Sequence, residues 1–394
     1  MSHFSYIFYA QEVISGPGSI QKIKDQIDRF QLKNVMLSTT KGCTSRGCTR
    51  FIQEVLGDRL SLVYDEVLPH VQDFQVEEAL RRAVKHEIDG IIGLGGGSAI
   101  GMAKALSHAL EKSKTANEKL DGTPTAQPLI PVIAIPTTYA GSEMTPVYGI
   151  THNEDNIKRK VTVKDVKITP KSVIYDAEWT MGLPPKIAAG SGINAFAHCI
   201  EALYSISKNP VSTTIALKGI QLIKTSLLPS CSSSPSLSAK TKMLEGSFFA
   251  GLALANVEMG LHHGICHVLG GSAGVSHGDA NSVMLPYVML FNLDETAPEL
   301  SLAAEAMGIN TSKLTDREAG RQAAIQVFDW IKELGLPHRL KDLNVPESDI
   351  SKLAHLAFMN KTVQNNPKRI ESVEQLEHLL MQAWHGEIYS SHSG

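Results

Sequence analysis

The sequence predicts an α/β domain with a mainly parallel sheet over residues 1–181, followed by an all-helical domain over 182–394, and three observations carry that division. Apolar runs short enough for buried strands alternate with helical stripes as far as Tyr175, the pattern of a sheet wrapped by helices. From Leu183 onward the pattern is helical nearly throughout. A run of glycines, Gly95-Gly96-Gly97, stands where one predicted strand meets its helix, at the edge where open α/β sheets bind ligands.

Tyr6 to Ser15 alternates weakly and ends in Gly16-Pro17-Gly18-Ser19, a strand and turn ahead of a helix from Ile20 to Phe30. Asn34 to Thr40 is a short buried strand, and a helix follows through Arg50 to Leu56. Ser61 to Val67 is the next strand; beyond it Val76, Ala79, Leu80, Ala83 and Val84 trace one face of a helix from Phe74 to Glu87. Asp89 to Ser98 is an apolar strand running into glycines, and Ala99 to Leu110 continues as a helix. The polar, breaker-rich stretch 112–128 reads as a surface loop. Pro131 to Pro136 is a strand that delivers Thr137 to Thr145 to the same sheet edge as the glycines. Lys158-Arg159-Lys160 reads as a solvated hairpin face from which one cation can turn inward, and Lys171 to Tyr175 is the last strand. Helical runs then occupy 187–204, 212–228, 241–270, 296–307, 318–334, 348–359 and 373–384, with Ser230 to Ser238 a connection.

Composition narrows the function classes. At 394 residues, 43% hydrophobic and 20% charged, the chain reads as an ordinary two-domain globular protein. A net charge of -3 gives no reason to expect nucleic acid or an anionic membrane as partner. The N-terminus lacks the basic and apolar regions of a signal peptide, and the longest apolar stretches, such as Val283 to Leu293, are far short of a bilayer span; a cytoplasmic protein is expected. Five cysteines with no repeated spacing suit a reducing compartment and argue against a disulfide framework. Cys199 and Cys266, each beside a histidine, read as packing residues.

Two groups of residues carry chemistry. Glycines at a strand-to-helix turn let backbone N–H groups approach a pyrophosphate, and the helix N-terminus favours its charge. Ser98 can cap that helix or donate to phosphate, although it stands where a G-x-G-x-x-G fingerprint would have its third glycine. Thr137, Thr138 and Ser142 offer hydroxyl donors at the same edge, unless they form only a polar loop. The second group is Met259 to Gly278, with four histidines. His263 and His267 are four apart and share a face of a helix that Gly270-Gly271 is expected to end; a loop then offers His277, with Gly278 permitting close backbone approach. Asn194 and His198 repeat the spacing on an apolar helix. His198, His263 and His277 would make three neutral ligands for a divalent metal, with Asn194 an awkward fourth. A single buried histidine is ordinarily a hydrogen-bonded core or cap residue; four of them in glycine-punctuated helices point to a shared site.

With these residues assembled, the chain resembles the iron-containing alcohol dehydrogenase superfamily, whose fold is shared with dehydroquinate synthase, and within it the maleylacetate reductases. The resemblance implies a Rossmann-like nicotinamide-binding domain, a helical domain, a cleft between them and a homodimer. Gly95-Gly96-Gly97-Ser98 matches the pyrophosphate turn and Lys104 the lysine after it. Pro136 to Pro146 is close to the maleylacetate reductase form, whereas the metal-dependent enzymes have one residue more; Gly101 stands where they commonly have Asp. His70 is a weaker match to a histidine of the reductases. Asn194 stands where metal-dependent members have Asp, and maleylacetate reductases have Asn there too. That exchange removes the only anionic ligand and lowers affinity for iron or zinc. It also suits a dicarboxylate substrate, which an Asp would repel. Thr40, followed by Lys41, stands where many members place an Asp on the ribose 2′-OH, so use of both NADH and NADPH is expected.

The expected cofactor set is therefore Thr40, Gly95, Gly96, Gly97, Ser98, Thr137, Thr138, Ser142 and Lys160; the expected catalytic set is Asn194, His198, His263, His267 and His277. By the resemblance His267 lies nearest the cofactor, His198 and His263 act as general acid or oxyanion donor, and His277 seats the substrate. The expected activity is metal-free, NAD(P)H-dependent reduction of a small carboxylated enone or keto acid, foremost maleylacetate to 3-oxoadipate. The alternatives are a metal-dependent alcohol or aldehyde reductase that uses Asn194, His198, His263 and His277 as ligands, and a nicotinamide sensor without catalysis.

Overall fold

A computed structural model of the chain describes residues 4, 6–9, 11–114, 127–154 and 157–388, with 153, 154 and 157–160 described by backbone alone. Most of the expected loop at 112–128 falls on 115–126, outside the described residues. The chain divides into two compact units, one spanning Ile7–Leu183 and the other Pro184–Gly394 together with Met1–Tyr6.

The first unit contains β1 (Glu12–Ser15), α1 (Ile23–Arg29), β2 (Val35–Ser38), α2 (Lys41–Ser45), α3 (Cys48–Leu56), β3 (Leu60–Tyr64), β4 (Val71–Gln72), α4 (Asp73–Lys85), β5 (Gly90–Gly95), α5 (Gly97–Lys114), β6 (Val132–Pro136), β7 (Val147–Glu154), β8 (Ile157–Lys164) and β9 (Ser172–Tyr175). Six strands form an all-parallel sheet in the order β1-β9-β6-β5-β2-β3. Its four inner strands, β9, β6, β5 and β2, are buried on both faces, and the alternation of side chains sorts them into two cores. Met36, Ile91 and Val132 face α4 and α5 through Ala79, Ala83, Met102 and Leu106. Val35, Leu37, Ile92, Leu94, Ile133 and Ile135 face α1 and α3 through Ile23, Ile27 and Ile52.

This sorting places the ligand edge. The chain leaves β2 for β3 on one side and returns to β5 on the other, and the helices after β2 and β5 cover opposite faces. The carboxyl ends of β2 and β5 therefore flank a topological switch point. Ser38 pairs with Gly93, which sets Thr40 level with Gly95. A smaller sheet, β4-β7-β8, contains the antiparallel β7–β8 hairpin, in which Lys160 pairs with Thr151; the Lys160 side chain lies outside the described residues.

The second unit is helical: α6 (Pro185–Tyr204), α7 (Pro210–Ser230), α8 (Leu237–Ala255), α9 (Leu261–Ser272), α10 (His277–Ala306), α11 (Asp316–Glu333), α12 (Ile350–Phe358), α13 (Lys361–Gln364) and α14 (Val373–His385). Three expectations need correction. The run 241–270 is two helices, broken at 256–260. Gly270-Gly271 does not end α9; the turn comes at Gly274, whose φ of +67° is glycine territory, and the Val275 N–H returns to the Leu269 carbonyl. His277 is not in a loop but opens α10, a 30-residue helix capped by Ser276 and kinked at Thr296, two residues before Pro298.

Gly278 has a different task from the one expected of it. A Cβ there would sit 3.2 Å from the Gly190 Cα, so the two glycines let the backbones of α6 and α10 cross at contact distance. Among the described residues no helix is long and apolar enough to cross a membrane.

Candidate active site

At the first centre, β5 turns into α5 through Gly95, whose φ of +141° a side chain rarely adopts. A Cβ on Gly96 would meet Thr138 Cγ2 at 3.1 Å and Oγ1 at 3.2 Å. Thr137 N–H donates to the Gly95 carbonyl at 2.9 Å and ties the β6 loop to the turn. The Ser142 hydroxyl is buried without a hydrogen-bond partner and lies 3.7 Å from where a Cβ on Gly97 would be. The Ser98 hydroxyl accepts the N–H of His70 at 3.1 Å, and His70 itself holds a left-handed φ of +57°. A turn kept clear of Cβ atoms, an orphaned hydroxyl beside it and an 18-residue helix opening at Gly97 fit a pyrophosphate.

One buried cation orders this edge. Lys104 Nζ donates to the carbonyls of Ser142 (2.5 Å), Thr145 (2.7 Å) and Val147 (3.0 Å), and Thr145 Oγ1 lies at 3.2 Å. Burial pulls the Lys104 pKa down to about 7, against the opposing pull of Glu143. Burial raises the Glu143 carboxyl, although it accepts a 2.6 Å hydrogen bond from Tyr175. Thr40 is less free than the sequence implies, because its hydroxyl caps α2 by accepting the Cys43 N–H, and Lys41 pairs with Glu66 at 3.2 Å.

The second centre is built from α6, α9 and α10. The His198 and His263 rings stack at 4.6 Å with 13° between planes; His263 and His277 stand 6.1 Å apart, and His267 and His277 stack at 6.0 Å. His198, His262 and His263 are buried, while His267 and His277 are half-buried, so the imidazoles grade from the interior toward solvent. Asn194 is buried too, and among the described residues neither its Oδ1 nor His198 Nδ1 has a hydrogen-bond partner. Burial first, then repulsion by His263, His262 and His267, holds His198 well below the usual imidazole range, so it is neutral at pH 7.

Glu201 is the residue that the sequence reading missed. Its side chain is 1% exposed; Oε1 accepts the N–H groups of Gly260 (2.8 Å) and His262 (3.1 Å), and Oε2 lies 2.5 Å from His263 Nδ1. His262 Nε2 lies 3.4 Å from the Asn281 carbonyl, which can only accept, so His262 carries its proton there. His263 then holds a proton on Nδ1, aimed at Glu201, with His262 Nδ1 at 3.3 Å. Burial raises the Glu201 carboxyl, opposed by His262 and by the backbone donors. The missing signal was available: Asn194, His198 and Glu201 are spaced i, i+4, i+7 on one stripe of α6.

Residues 10–177 match the iron-containing alcohol dehydrogenase family, and residues 188–384 match the C-terminal part of the same family. The chain belongs to that family. Within it the chain is most like the maleylacetate reductases: it is 33% identical to the maleylacetate reductase of Burkholderia cepacia over 97% of this chain and 98% of that one. Among solved structures, the maleylacetate reductase of Rhizobium sp. strain MTP-10005 superimposes with a TM-score of 0.83 at 30% identity, covering 98% and 99% of the two chains. An iron-containing alcohol dehydrogenase of Corynebacterium glutamicum gives 0.81 at 32%, covering 98% of each. This member of the family is an NAD(P)H-dependent oxidoreductase.

Since global identity to the two kinds of relative is nearly equal, the question of iron falls to the side chains. A ligating imidazole points its lone pair along the ring plane. Among the described residues, His198, His263 and His277 do not bring three ligand atoms together around one point as they stand. Among the described residues the one convergence of three His, Cys, Asp or Glu ligand atoms is Glu201, His262 and His263, which already satisfy one another by hydrogen bonding.

Proposed function

We propose that this oxidoreductase reduces a small carboxylated enone or keto acid, foremost maleylacetate to 3-oxoadipate, without a bound metal ion. The observation that carries the reading is Asn194: a neutral, buried amide whose Oδ1 has no partner stands on the same helical stripe as His198, where an acid would have supplied the anionic ligand. The full-length likeness to maleylacetate reductases supports it. The substrate brings its own negative charge, which an amide tolerates and a carboxylate would repel.

When bound, the dihydronicotinamide supplies a hydride to the substrate carbon. The glycine turn, Thr138 and Ser142 hold its pyrophosphate. His263, protonated, gives the Nε2 proton to the oxygen that becomes an enolate, and neutral His198 orders the site beside it. The half-buried His277 and His267 return a proton from solvent and face the substrate carboxylates. The partner in this reading is a small carboxylate rather than nucleic acid or a membrane, and the working form is a homodimer in the cytoplasm.

The deciding experiment measures NADH and NADPH oxidation with maleylacetate beside short aldehydes, before and after exhaustive chelation, with metal analysis of the same sample. Full turnover of maleylacetate after chelation is expected. Stoichiometric iron or zinc required for turnover, with aldehydes preferred, would replace this reading by that of a metal-dependent alcohol dehydrogenase. Binding of NADH with no turnover of any carbonyl would point to a sensor.

A further inference from the structure

We propose that Glu201 is a positioning residue for proton delivery: it fixes the orientation and tautomer of His263, so that the opposite ring nitrogen, Nε2, is the one that releases the proton. The inference rests on the reading of His263 as proton donor.

Three features separate Glu201 from an ordinary buried acid. Among the described residues its hydrogen bonds include no Lys or Arg, and the groups it accepts from belong to the start of α9, namely backbone N–H groups and the His263 ring. Both oxygens are assigned, Oε1 to the backbone and Oε2 to the ring, so the carboxylate cannot rotate without losing a bond. The backbone bonds lock the acid to the same turn that carries His263, and a positive helix terminus favours the anion there. The ring is thereby held as Nδ1–H whether it is neutral or protonated. When protonated His263 releases its Nε2 proton to the enolate oxygen, it is left as the neutral Nδ1–H tautomer that Glu201 already prefers. A carboxylate beside Nδ1 also stabilises the imidazolium before the transfer, as a carboxylate does for any paired histidine.

The competing explanation is that Glu201 merely caps α9. Glu201→Gln separates the two, because the isosteric amide keeps an acceptor for the Gly260 and His262 N–H groups but turns an NH2 donor toward Nδ1. The expected result is a kcat lowered about a hundredfold or more, with the NADH dissociation constant and substrate KM within a few-fold, and partial recovery in Glu201→Asp. Nitrogen-15 NMR of the imidazoles should show the His263 proton on Nδ1 in the native protein and on Nε2 in Glu201→Gln. In a His263→Ala background, Glu201→Gln should cost nothing further. A folded Glu201→Gln with near-native kcat overturns the proposal, as does an equal loss in the His263→Ala background or an unchanged tautomer. If Glu201→Gln does not fold, Glu201→Asp and the native tautomer decide: Nδ1 unprotonated in the native protein overturns the proposal. A His263→Ala variant with undiminished turnover refutes the proton-donor reading itself, a different outcome from failure of the Glu201 variants alone.

Discussion

The two buried polar centres of this chain are made of different materials. At the Gly95–Gly97 turn, a ligand would meet backbone N–H groups and hydroxyls, and the surrounding loop is ordered by a lysine, Lys104, bonded to carbonyls. In the helical unit, a ligand would meet side chains from three helices, ordered by an acid, Glu201, bonded to N–H groups. The first centre depends on what is missing, since a Cβ at Gly95 or Gly96 would crowd it. The second depends on which atoms are present, so a single exchange at Asn194 changes its chemistry. Turn glycines therefore testify to cofactor class, while the imidazole stripe testifies to reaction type.

The largest expected effect tests that contrast directly. His263→Ala should lower kcat by roughly a thousandfold, within the range usual for loss of an acid–base group, while leaving NADH affinity unchanged by fluorescence titration. Unimpaired turnover would break the assignment of chemistry to the helical unit. Next is Asn194→Asp, which restores an anion to the stripe shared with His198. Metal retained after dialysis should rise to about one iron or zinc per chain, and KM for a dicarboxylate should rise with it through repulsion. No gain in metal would show that the missing charge is not what keeps an ion out.

Much of this was legible in the sequence, for reasons that also explain the misses. Strand period, helical stripes and consecutive glycines are local signals, and they located the Gly95–Gly97 turn and the neighbouring rings of His198, His263 and His277. Glu201 was passed over because an acid in a helix ordinarily means a solvated face, and only tertiary packing makes it 1% exposed. Gly270 and Gly271 looked like a helix stop because glycine lowers helix propensity, yet the turn that stops α9 needs a positive φ, which only Gly274 supplies. Thr40 is read from the sequence as a ribose contact, and the fold adds that its hydroxyl also caps α2 by accepting the Cys43 N–H, a second task that leaves its O–H able to donate and that sequence spacing does not reveal. The side chain expected to turn inward at Lys160 lies outside the described residues.

A third prediction sharpens the contrast from the cofactor side. Gly96→Val places a branched side chain 3.1–3.2 Å from Thr138, in the space a pyrophosphate would enter. KM for NADH should rise about tenfold, or ~1.4 kcal/mol, with kcat at saturating cofactor nearly unchanged. A fall in kcat at unchanged KM would mean that the turn contributes to the chemical step, and the division between the two centres would not hold.

The smallest effect on turnover, and the one most specific to the cation, concerns pH. Free lysine keeps its proton to 10.5, whereas buried Lys104 gives it up near pH 7. Between those values unfolding takes up a proton, so Lys104 makes stability climb as pH rises, by at most ~1.4 kcal/mol per pH unit. Below pH 7 both states are charged and the contribution is flat. Lys104→Met removes the slope but leaves every other titrating group in place. Urea unfolding of the two proteins at pH 6, 8 and 9.5 should therefore show the native chain gaining on the variant as pH rises. A constant difference would mean that the oxygens of Ser142, Thr145 and Val147 hold Lys104 as an ammonium ion throughout, with hydrogen bonding outweighing burial. The cation would then match Glu201 as a fixed charge that organises its centre.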